Sequence, residues 1–456
     1  MYLERIFQQE PHQIAVCQGD IRYTYGQLYA EAQQLAAFLR ESRGPLLVFG
    51  HKHPRMIVSL LACLLSGRAW VPCDSSLPAE RIHRIMELCG AEQLFYAEDS
   101  EIDAKIPSFH WSDVPFSDEC FEFSFCKERI AYIMFTSGST GTPKGIPISC
   151  GNLENFARWI LQYPQLSRAS ILNQANLSFD LSVADWCLAL CNGGTLFLNS
   201  KQDQFELARF FSLIQKQSDC TLVCTPTFLR LCLCDRSFCQ EQMPALKAVF
   251  LCGEVLPKST AVLMLQRFPD LYLFNAYGPT EATCAVCGVQ ITAEHLEQDL
   301  LPVGEISTAA VRITIEQNEI CLEGDSVFHG YLNQEVQPSC YHSGDLGTIE
   351  QGLLYCFGRK DSQIKYMGYR IDLSEIRHHV ESFPDIQQAV IVPQYDRSGS
   401  VRRLTAYLQP FPACTDELRH ELAKQLPSYM IPSLFFPMEE LPLTPNVKIK
   451  MRGSYG

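Results

Sequence analysis

The stretch IMFTSGSTGTPKGIPIS, residues 133–149, joins an apolar run to a loop rich in hydroxyl groups and glycine. Residues 130–135 are apolar and β-favouring, which predicts a buried strand. Residues 136–142 offer five hydroxyl groups and two glycines that can converge on an anion, and Lys144 adds a positive charge. The pattern is not a Walker A site, because Pro143 precedes the lysine and a glycine follows it. Taken alone, the segment fits a phosphate-binding loop and a flexible polar linker equally well.

The composition of the 456-residue chain is that of a soluble globular protein, with 47% hydrophobic and 19% charged residues. The length predicts two or three domains. The formal charge of −14 disfavours a broad nucleic-acid-binding surface, which needs clustered Lys and Arg. We see no signal-peptide pattern and no apolar run of about 18 residues that would predict a membrane span. We therefore expect a cytoplasmic protein.

The 21 cysteines are scattered through apolar segments, which favours reduced core residues over a disulfide framework. Cys284 and Cys287 form one Cys-x-x-Cys pair without a second pair to complete four zinc ligands, so the sequence predicts no zinc site there. The function therefore has to be inferred from the remaining motifs.

Helical and strand patterns alternate along most of the chain. Residues 25–39 and 56–65 have apolar residues at helical spacing, whereas residues 45–49 and 248–251 are strand-like. This alternation is typical of an α/β layered domain, in which ligands bind outside the carboxyl ends of the strands.

The sequence changes character near residue 340, where glycine-punctuated segments indicate hairpins. A helix and two strands, over residues 389–392 and 404–408, then suggest a small α+β unit. We therefore predict the α/β class, with a large N-terminal layered α/β domain over 1–360 and a small C-terminal α+β domain over 361–456.

Two further loops carry polar groups that suit a nucleotide. In LFNAYGPTEATCAV, Tyr277, Thr280 and Glu281 offer a ring for purine stacking, a hydroxyl for phosphate and a carboxylate for Mg²⁺. In YHSGDLG, Asp345 lies between glycines, where a carboxylate suits a ribose diol. Each motif by itself fits an ordinary capped turn at least as well.

Together these motifs occur in the order seen in the adenylate-forming (ANL) enzymes, a superfamily of nonribosomal peptide adenylation domains, acyl-CoA synthetases and luciferases. The resemblance extends from YTYGQL and GRAWVPCDSSLPAERI to GRKD and LPLTPNVKIK, which is nearly the whole chain. It implies that a substrate carboxylate attacks the α-phosphorus of ATP and that pyrophosphate leaves. Positioning and charge neutralisation suffice for this step, without a protein nucleophile.

The resemblance implies ATP and Mg²⁺ as cofactors. It places the hydroxyl-rich loop and Lys144 at the β- and γ-phosphates, Tyr277 against adenine and Asp345 at the ribose. Glu281 is the implied Mg²⁺ ligand, and Lys448 is the implied catalytic lysine that bridges the substrate carboxylate and the α-phosphate. The residues implied to bind ATP are Thr136, Ser137, Gly138, Ser139, Thr140, Lys144, Asn275, Ala276, Tyr277, Thr280, Asp345, Arg359 and Lys448.

The closing motif departs from the family pattern. A glycine usually precedes the catalytic lysine, whereas Val447 stands there in this chain. A β-branched residue is a poor substitute for a glycine that has a positive φ. If the family glycine adopts a positive φ, the loop that presents Lys448 is altered in this chain. Lys450 is the alternative catalytic lysine.

The stretch NLSFDLSVADW indicates that the activated acid is an amino acid. In amino-acid-activating relatives the aspartate at this place, here Asp180, pairs with the α-ammonium group of the substrate, since a buried carboxylate needs a cationic partner. Acyl-CoA synthetases have no use for this charge. The alternative is that Asp180 only caps a helix that begins at Leu181.

Within the superfamily, FDLSVADW, LCGEVLP and FNAYGPTEAT resemble the ligases that load D-alanine onto a carrier protein for teichoic acid modification. In that subfamily the cysteine of the Cys-Gly-Glu motif, here Cys252, lies against the substrate Cα and is linked to the preference for the D enantiomer. The alternative is a core cysteine. The residues implied to bind the amino acid are Asp180, Leu181, Cys252, Ala276 and Cys284.

The resemblance further implies that the C-terminal domain is mobile and rotates about Asp361 as a hinge. Gly368 is then implied to line a tunnel for a phosphopantetheine arm. Because no carrier domain follows residue 456, we expect the thiol to arrive on a separate phosphopantetheinylated carrier protein, with coenzyme A as the alternative.

We therefore predict an AMP-forming ligase that activates a small amino acid, D-alanine first, and transfers it to a carrier protein in trans. A pocket difference of one methylene discriminates by only about 1–3 kcal/mol, so L-proline, L-alanine and serine stay open as substrates for a natural-product pathway. An acyl-CoA synthetase also stays open, as does a catalytically silent ATP-binding protein, which Val447 would explain.

Overall fold

The computed structural model describes residues 1–138, 141–200, 206–334, 340–396 and 399–440. The helices of these ranges are α1 Tyr2–Arg5, α2 Tyr25–Phe38, α3 Pro54–Ser66, α4 Ala79–Cys89, α5 Cys150–Ile160, α6 Leu181–Leu190, α7 Leu207–Gln215, α8 Pro226–Leu233, α9 Lys258–Arg267, α10 Leu373–Glu381 and α11 Thr415–Gln425. The strands are β1 Ile14–Gln18, β2 Ile21–Thr24, β3 Leu46–Phe49, β4 Trp70–Cys73, β5 Gln93–Tyr96, β6 Ser108–His110, β7 Ile130–Thr136, β8 Lys144–Ser149, β9 Ser170–Asn173, β10 Thr195–Leu198, β11 Cys220–Cys224, β12 Leu246–Leu251, β13 Tyr272–Tyr277, β14 Cys287–Gln290, β15 Gly304–Glu305, β16 Arg312–Glu316, β17 Glu319–Glu323, β18 Cys340–Glu350, β19 Leu353–Arg359, β20 Gln363–Tyr366, β21 Tyr369–Asp372, β22 Gln388–Tyr395, β23 Val401–Gln409 and β24 Leu434–Pro437.

Two large sheets build the N-terminal part of the chain. Their strand orders are β14-β13-β12-β11-β9-β10-β1-β2 and β6-β5-β3-β4-β7-β8. Neighbouring strands inside each sheet are parallel, whereas β2, β8 and β14 pair antiparallel at the edges. Strands β3 and β4 are buried along their whole length, as expected for strands that are covered on both faces. The loops that follow these parallel strands supply the candidate site.

Local signals explain where the helices begin and end. A capping box between Thr24 and Gln27 starts α2, and Pro54 opens α3. Gly67, with φ of 76°, ends α3 in the left-handed conformation that glycine adopts without strain. Both helices lie where the apolar spacing predicts them.

A third sheet, with strand order β15-β19-β18-β17-β16, carries several of the candidate residues. Gln351 and Gly352, with φ of 51° and 82°, form the tight turn between β18 and β19. The glycines at 344, 347 and 358, which also suggested hairpins, lie inside these two strands instead.

The C-terminal part contains the β20–β21 hairpin and a three-stranded sheet, β22-β23-β24, packed with α10 and α11. Asp372 starts α10 by accepting a hydrogen bond from Ser374 N at 2.9 Å. The predicted fold class is confirmed, whereas the boundary at residue 361 stays a prediction. No helix of the described ranges combines the length and apolar character needed to cross a bilayer.

Candidate active site

The hydroxyl-rich loop begins where β7 ends. Thr136, the last residue of β7, lies opposite Lys144, the first residue of β8. The Lys144 Nζ is 5.4 Å from the centroid of the Tyr331 ring, within cation–π distance. Thr136 and Ser137 line a cavity of about 90 Å³, which we call the nucleotide cavity.

Asp345 organises a group of polar side chains at the same cavity. Tyr277 Oη donates to Asp345 Oδ2 at 2.8 Å, and Arg359 Nη1 donates to Asp345 Oδ1 at 2.6 Å. Burial raises the pKa of Tyr277, so its hydroxyl stays protonated and can donate. Each carboxylate oxygen keeps another acceptor site, so Asp345 can still accept hydrogen bonds from a ribose diol.

Only some of the residues predicted to bind ATP line the nucleotide cavity: Thr136, Ser137, Thr280, Asp345 and Arg359 do, whereas Gly138, Lys144, Asn275, Ala276 and Tyr277 do not. Asn275 Nδ2 donates to Pro302 O at 2.8 Å inside the protein, and Asn275 and Ala276 are both buried in β13. The predicted role of Asn275 and Ala276 therefore receives no support from their side chains in this arrangement.

A second cavity, of about 80 Å³, adjoins the first, and we call it the amino-acid cavity. It is lined by Asp180, Leu181, Cys252 and Cys284, four of the five residues that the sequence assigns to the amino acid. Ala276 is the fifth, and it does not line this cavity either. Asp180 faces both cavities and therefore lies where the two substrates would meet.

The environment of Asp180 bears on the two interpretations of this residue. Asp180 occupies the N-cap position of α6, but its side chain makes no capping hydrogen bond, so capping is not supported as its whole role, and substrate binding stays a prediction. Burial raises the pKa of its carboxyl, although a hydrogen bond from the Thr280 hydroxyl opposes this effect. Among the described residues no cation lies within ion-pair distance of the Asp180 carboxylate, although the Arg370 guanidinium, which pairs with Glu281, lowers its pKa from farther away. A cationic ligand would remove this imbalance.

Cys252 and Cys284 form one wall of the amino-acid cavity. Cys252 Sγ lies 3.7 Å from Cys284 O, and both residues are buried. Thr283 and Cys284 have φ values of 60° and 70°, a left-handed conformation that costs energy in non-glycine residues and is especially unusual for threonine. Burial raises the pKa of the Cys284 thiol, whereas a hydrogen bond with that thiol lowers the pKa of Cys252.

Glu281, the predicted Mg²⁺ ligand, is 1% exposed and bonded to protein groups. Its Oε1 accepts from Tyr331 Oη at 2.7 Å, and its Oε2 lies 2.6 Å from Arg370 Nη1. Burial alone would raise the pKa of Glu281, but the Arg370 guanidinium and the Tyr331 hydroxyl outweigh it and lower the pKa. A carboxylate is the donor that Mg²⁺ takes in nucleotide sites, so Glu281 fits the metal once Arg370 has moved away.

The β20–β21 hairpin closes over both cavities. Ser137 Oγ donates to Arg370 O and accepts from Asp372 N, both at 2.8 Å. Gly368 N, in the turn of the hairpin, donates to Glu254 Oε1 at 2.6 Å. The C-terminal part therefore contacts the hydroxyl-rich loop and the edge of the amino-acid cavity at the same time.

Helix α10 brings a carboxylate to the same loop. Gly138 N donates to Glu375 Oε2 at 3.2 Å, and Arg81 Nη1 lies 2.6 Å from Glu375 Oε1. Glu375 is fully buried and Arg81 is 8% exposed. A protein carboxylate thus uses a backbone N–H of the loop that was predicted to bind phosphate.

Some predicted residues cannot be placed in the site. Lys448, Ser139 and Thr140 lie outside the described residues, as does Val447. Asp361, the predicted hinge, is described: it follows β19, and its Oδ1 accepts from Arg359 Nε at 2.8 Å. The functional roles of all these residues stay predictions.

Comparison with models of protein families matches residues 3–332 to a family described as AMP-binding enzyme. The chain belongs to the AMP-binding enzyme family. A curated relative from Staphylococcus epidermidis, named D-alanine–D-alanyl carrier protein ligase, is 36% identical over 472 aligned positions, covering 98% of this chain and 96% of the relative. A relative of the same name from Bacillus velezensis is also 36% identical, covering 94% of this chain and 93% of the relative.

Two solved structures share the fold of this chain. The Vibrio cholerae adenylation domain AlmE, solved with glycyl-adenosine-5'-phosphate, superposes with a TM-score of 0.86 at 22% identity, covering 98% of this chain and 95% of AlmE. The o-succinylbenzoate CoA synthetase of Bacillus subtilis superposes with a TM-score of 0.84 at 20% identity, covering 99% of this chain and 97% of that enzyme. At these identities the likeness supports the fold alone.

Three charged residues of this AMP-binding enzyme were not predicted from the sequence. Arg370, Glu375 and Glu254 join the C-terminal part to the site, and no functional role was expected for any of them. Their contacts span 89, 237 and 114 residues of sequence, respectively, so no local spacing could reveal them. The one useful signal was the segment QIKYMGYRIDLSEI, which resembles the part of the family that lines the thioester-forming site.

Proposed function

We propose that this enzyme activates D-alanine with ATP and transfers the D-alanyl group to the phosphopantetheine thiol of a separate carrier protein. The observation that carries the proposal is the meeting of Asp180, Cys252 and Cys284 at one small cavity. The chain is also 36% identical over 98% of its length to a relative named for this activity.

The proposed substrate fits the chemistry of the amino-acid cavity. The Asp180 carboxylate would pair with the α-ammonium group, which supplies a cation at ion-pair distance that the described residues do not. A cavity of about 80 Å³ suits a small side chain. Cys252, on the cysteine wall, would face the Cα and favour one placement of the methyl group.

In the first half-reaction, a carboxylate oxygen of D-alanine attacks the α-phosphorus of ATP, and the bond to pyrophosphate breaks. The N–H and hydroxyl groups of the loop at Ser137 and Gly138, together with Lys144, would hold the β- and γ-phosphates. Asp345 would hold the ribose, and Lys448 is proposed to bridge the two reacting groups. Glu281 would hold Mg²⁺, which supplies charge neutralisation for the leaving pyrophosphate.

The described arrangement suits the second half-reaction better than the first. Glu375 uses the Gly138 N–H, and Arg370 pairs with Glu281, so protein charges take the places of a phosphate and a metal ion. ATP binding therefore requires that the C-terminal part withdraw, with Asp361 as the proposed hinge. After pyrophosphate leaves, the domain can return and close over the aminoacyl-adenylate.

In that closed state, the carrier thiol would enter near Gly368. A Cβ at this residue would lie 2.7 Å from Thr225 Cγ2, so the passage is narrow. The thiol sulfur attacks the carbonyl carbon of the adenylate, AMP leaves with the bonding electrons, and the thiol proton goes to solvent. We also assign the reaction to the cytoplasm, where ATP is plentiful and the 21 cysteines can remain the free thiols that the structure contains.

The first experiment measures amino-acid-dependent exchange of pyrophosphate into ATP with Mg²⁺, across all L-amino acids plus D-alanine, D-serine and glycine. We expect the highest kcat/KM for D-alanine. A different preferred amino acid would overturn the substrate assignment, and no exchange with any of them would overturn the adenylation. A second assay offers holo D-alanyl carrier protein and coenzyme A as competing acceptors, and we expect acylation of the carrier protein.

A further inference from the structure

A cluster of metal-ligating side chains lies on the sheet that carries Asp345, away from both cavities. Cys321 in β17 is directly opposite His342 in β18, and Cys340 is two residues before His342. Cys321 Sγ is 3.4 Å from His342 Nδ1, and the ligand atoms of Cys321, Cys340 and His342 all lie within 4.8 Å of one another. None of these residues lines either cavity or takes part in the proposed reaction.

The spacing of these atoms suits a tetrahedral ion. With Zn–S of about 2.3 Å and Zn–N of about 2.0–2.1 Å, tetrahedral geometry puts a sulfur and a nitrogen ligand roughly 3.5 Å apart. The observed distance between Cys321 Sγ and His342 Nδ1 is 3.4 Å. Two of the three ligands are thus already at the separation that a zinc ion requires.

Glu319, which lies beside His342 but outside the group of three, can supply a fourth ligand by a small side-chain shift, and Lys360 supplies a balancing charge. Glu319 Oε2 lies 3.6 Å from His342 Nδ1 and 3.4 Å from Lys360 Nζ. The other carboxylate oxygen of Glu319 accepts from Gly344 N at 2.9 Å, which fixes the orientation of the group. Two thiolates, one carboxylate and a divalent ion sum to one negative charge, which Lys360 offsets.

We propose that Cys321, Cys340 and His342 bind a zinc ion, with Glu319 as the fourth ligand. Two Zn–S bonds, one Zn–N bond and one Zn–O bond form, and the two thiol protons pass to solvent. The ion joins β17 to the first residues of β18. His342, its ligand in β18, lies three residues before Asp345 on the same strand. The site is therefore structural, because four protein ligands leave no open position for a substrate.

A disulfide bond explains the two cysteines less well. Cys340 is paired with Glu323, so Cys321 and Cys340 are diagonal neighbours on antiparallel strands. Such neighbours have Cα atoms about 7–8 Å apart, beyond the usual disulfide range. Both cysteines are free thiols.

The test uses the full-length protein, treated with a chelator and kept reduced, and titrated with Co²⁺ alone. We expect one equivalent to bind with a sulfur-to-cobalt charge-transfer band, and stoichiometric Zn²⁺ to displace it. The variants Cys340→Ser and His342→Gln should each weaken binding by at least roughly tenfold. Cys414→Ser is the matched control, because this exposed thiol is far from the cluster in sequence and should leave the titration unchanged.

Cys340 and His342 are the safer positions to change because their side chains are accessible, whereas Cys321 is fully buried and its replacement endangers folding. Thermal unfolding provides a second measurement: Zn²⁺ should raise the Tm of the wild-type protein and not that of His342→Gln. Absence of the charge-transfer band in the wild-type protein would overturn the proposal. A band that survives in both variants would overturn it as well. So would a Cys321–Cys340 disulfide found by mass spectrometry in protein purified without a reducing agent.

Discussion

The nucleotide cavity and the amino-acid cavity adjoin, yet their buried carboxylates are balanced in different ways. Asp345 pairs with Arg359 and Glu281 pairs with Arg370, each at 2.6 Å. The Asp180 carboxylate accepts a hydrogen bond from a hydroxyl group and has no cation within ion-pair distance among the described residues, although the Arg370 guanidinium lowers its pKa from farther away. The carboxylates beside the nucleotide cavity are therefore paired without a ligand, whereas Asp180 would gain a direct partner from a cationic ligand. This difference agrees with the closed state that we propose after pyrophosphate leaves.

The strongest test of this comparison is Asp180→Asn, which removes the unpaired charge and keeps the shape. Loss of a buried charge partner costs about 3–5 kcal/mol, so we expect kcat/KM for D-alanine to fall by roughly 10²–10³-fold. ATP binding, measured by calorimetry without amino acid, should change little. Asp118→Asn, at an exposed position, is the control for loss of one negative charge.

The same position predicts a pH dependence. Burial raises the pKa of Asp180 in the free enzyme, and only the ionised form can pair with the ammonium group. The KM for D-alanine should therefore rise as pH falls through this raised pKa, and the effect should vanish in Asp180→Asn. Unchanged D-alanine activation by the variant would mean that the ammonium group is bound elsewhere.

Glu375→Gln tests the nucleotide cavity, where charged protein groups are proposed to take the places of charged ligand groups. The neutral amide weakens the contact with Arg81, and a hydrogen bond to a charged group is worth about 1.5–3 kcal/mol. We expect D-alanyl transfer to the carrier protein to slow roughly ten- to hundredfold, with pyrophosphate exchange preserved. Single-turnover transfer from preformed adenylate measures this step.

Glu417→Gln, an exposed change in α11, is the control for that experiment. Equal slowing of exchange and transfer by Glu375→Gln would contradict a role confined to the closed state. Faster exchange with a lower KM for ATP would instead strengthen the idea that Glu375 competes with a phosphate.

Gly368→Ala perturbs the closed state by shape rather than charge. The φ of 83° penalises a side chain by about 1–2 kcal/mol, and the new Cβ would lie 2.7 Å from Thr225 Cγ2. We expect transfer to slow about tenfold and exchange to remain. Gly399→Ala is a matched control, since Gly399 has φ of 82° but no atom within 4 Å of the added carbon. If both changes slow transfer equally, Gly368 matters for its backbone conformation and not for the space beside Thr225.

The two cavities also differ in how far the sequence could predict them. The loops around Thr136, Tyr277 and Asp345 were found because each follows or interrupts a strand with a compact polar motif. The fold class followed from the alternating periodicity, and the family from the order of the motifs. These features are local in the sequence, so a single chain is enough to recognise them.

What the sequence could not predict depends on distant pairing. Arg370 meets Glu281 across 89 residues, and Glu375 meets Gly138 across 237 residues. The zinc-ligand cluster was missed for the same reason, since Cys321 and His342 come together only through the register of β17 and β18. The Asn275 prediction stays untested: its amide nitrogen donates to Pro302 O, and this contact between residues 27 apart could not be read from the motif.

The smallest expected effect concerns the wall of the amino-acid cavity that Cys252 and Cys284 form. Cys252→Ala removes a thiol that is 3.7 Å from Cys284 O and would face the substrate Cα. The space gained can accept the methyl group of the mirror-image substrate, so the preference for D-alanine over L-alanine should fall by about tenfold, the lower end of the discrimination expected for one small group. Cys63→Ala, a buried thiol in α3, controls for lost packing. Asp180 is proposed to bind the ammonium group of both enantiomers equally. A changed D/L ratio with an unchanged KM for D-alanine would therefore separate two functions of the cavity, with charge selecting an amino acid and shape selecting its enantiomer.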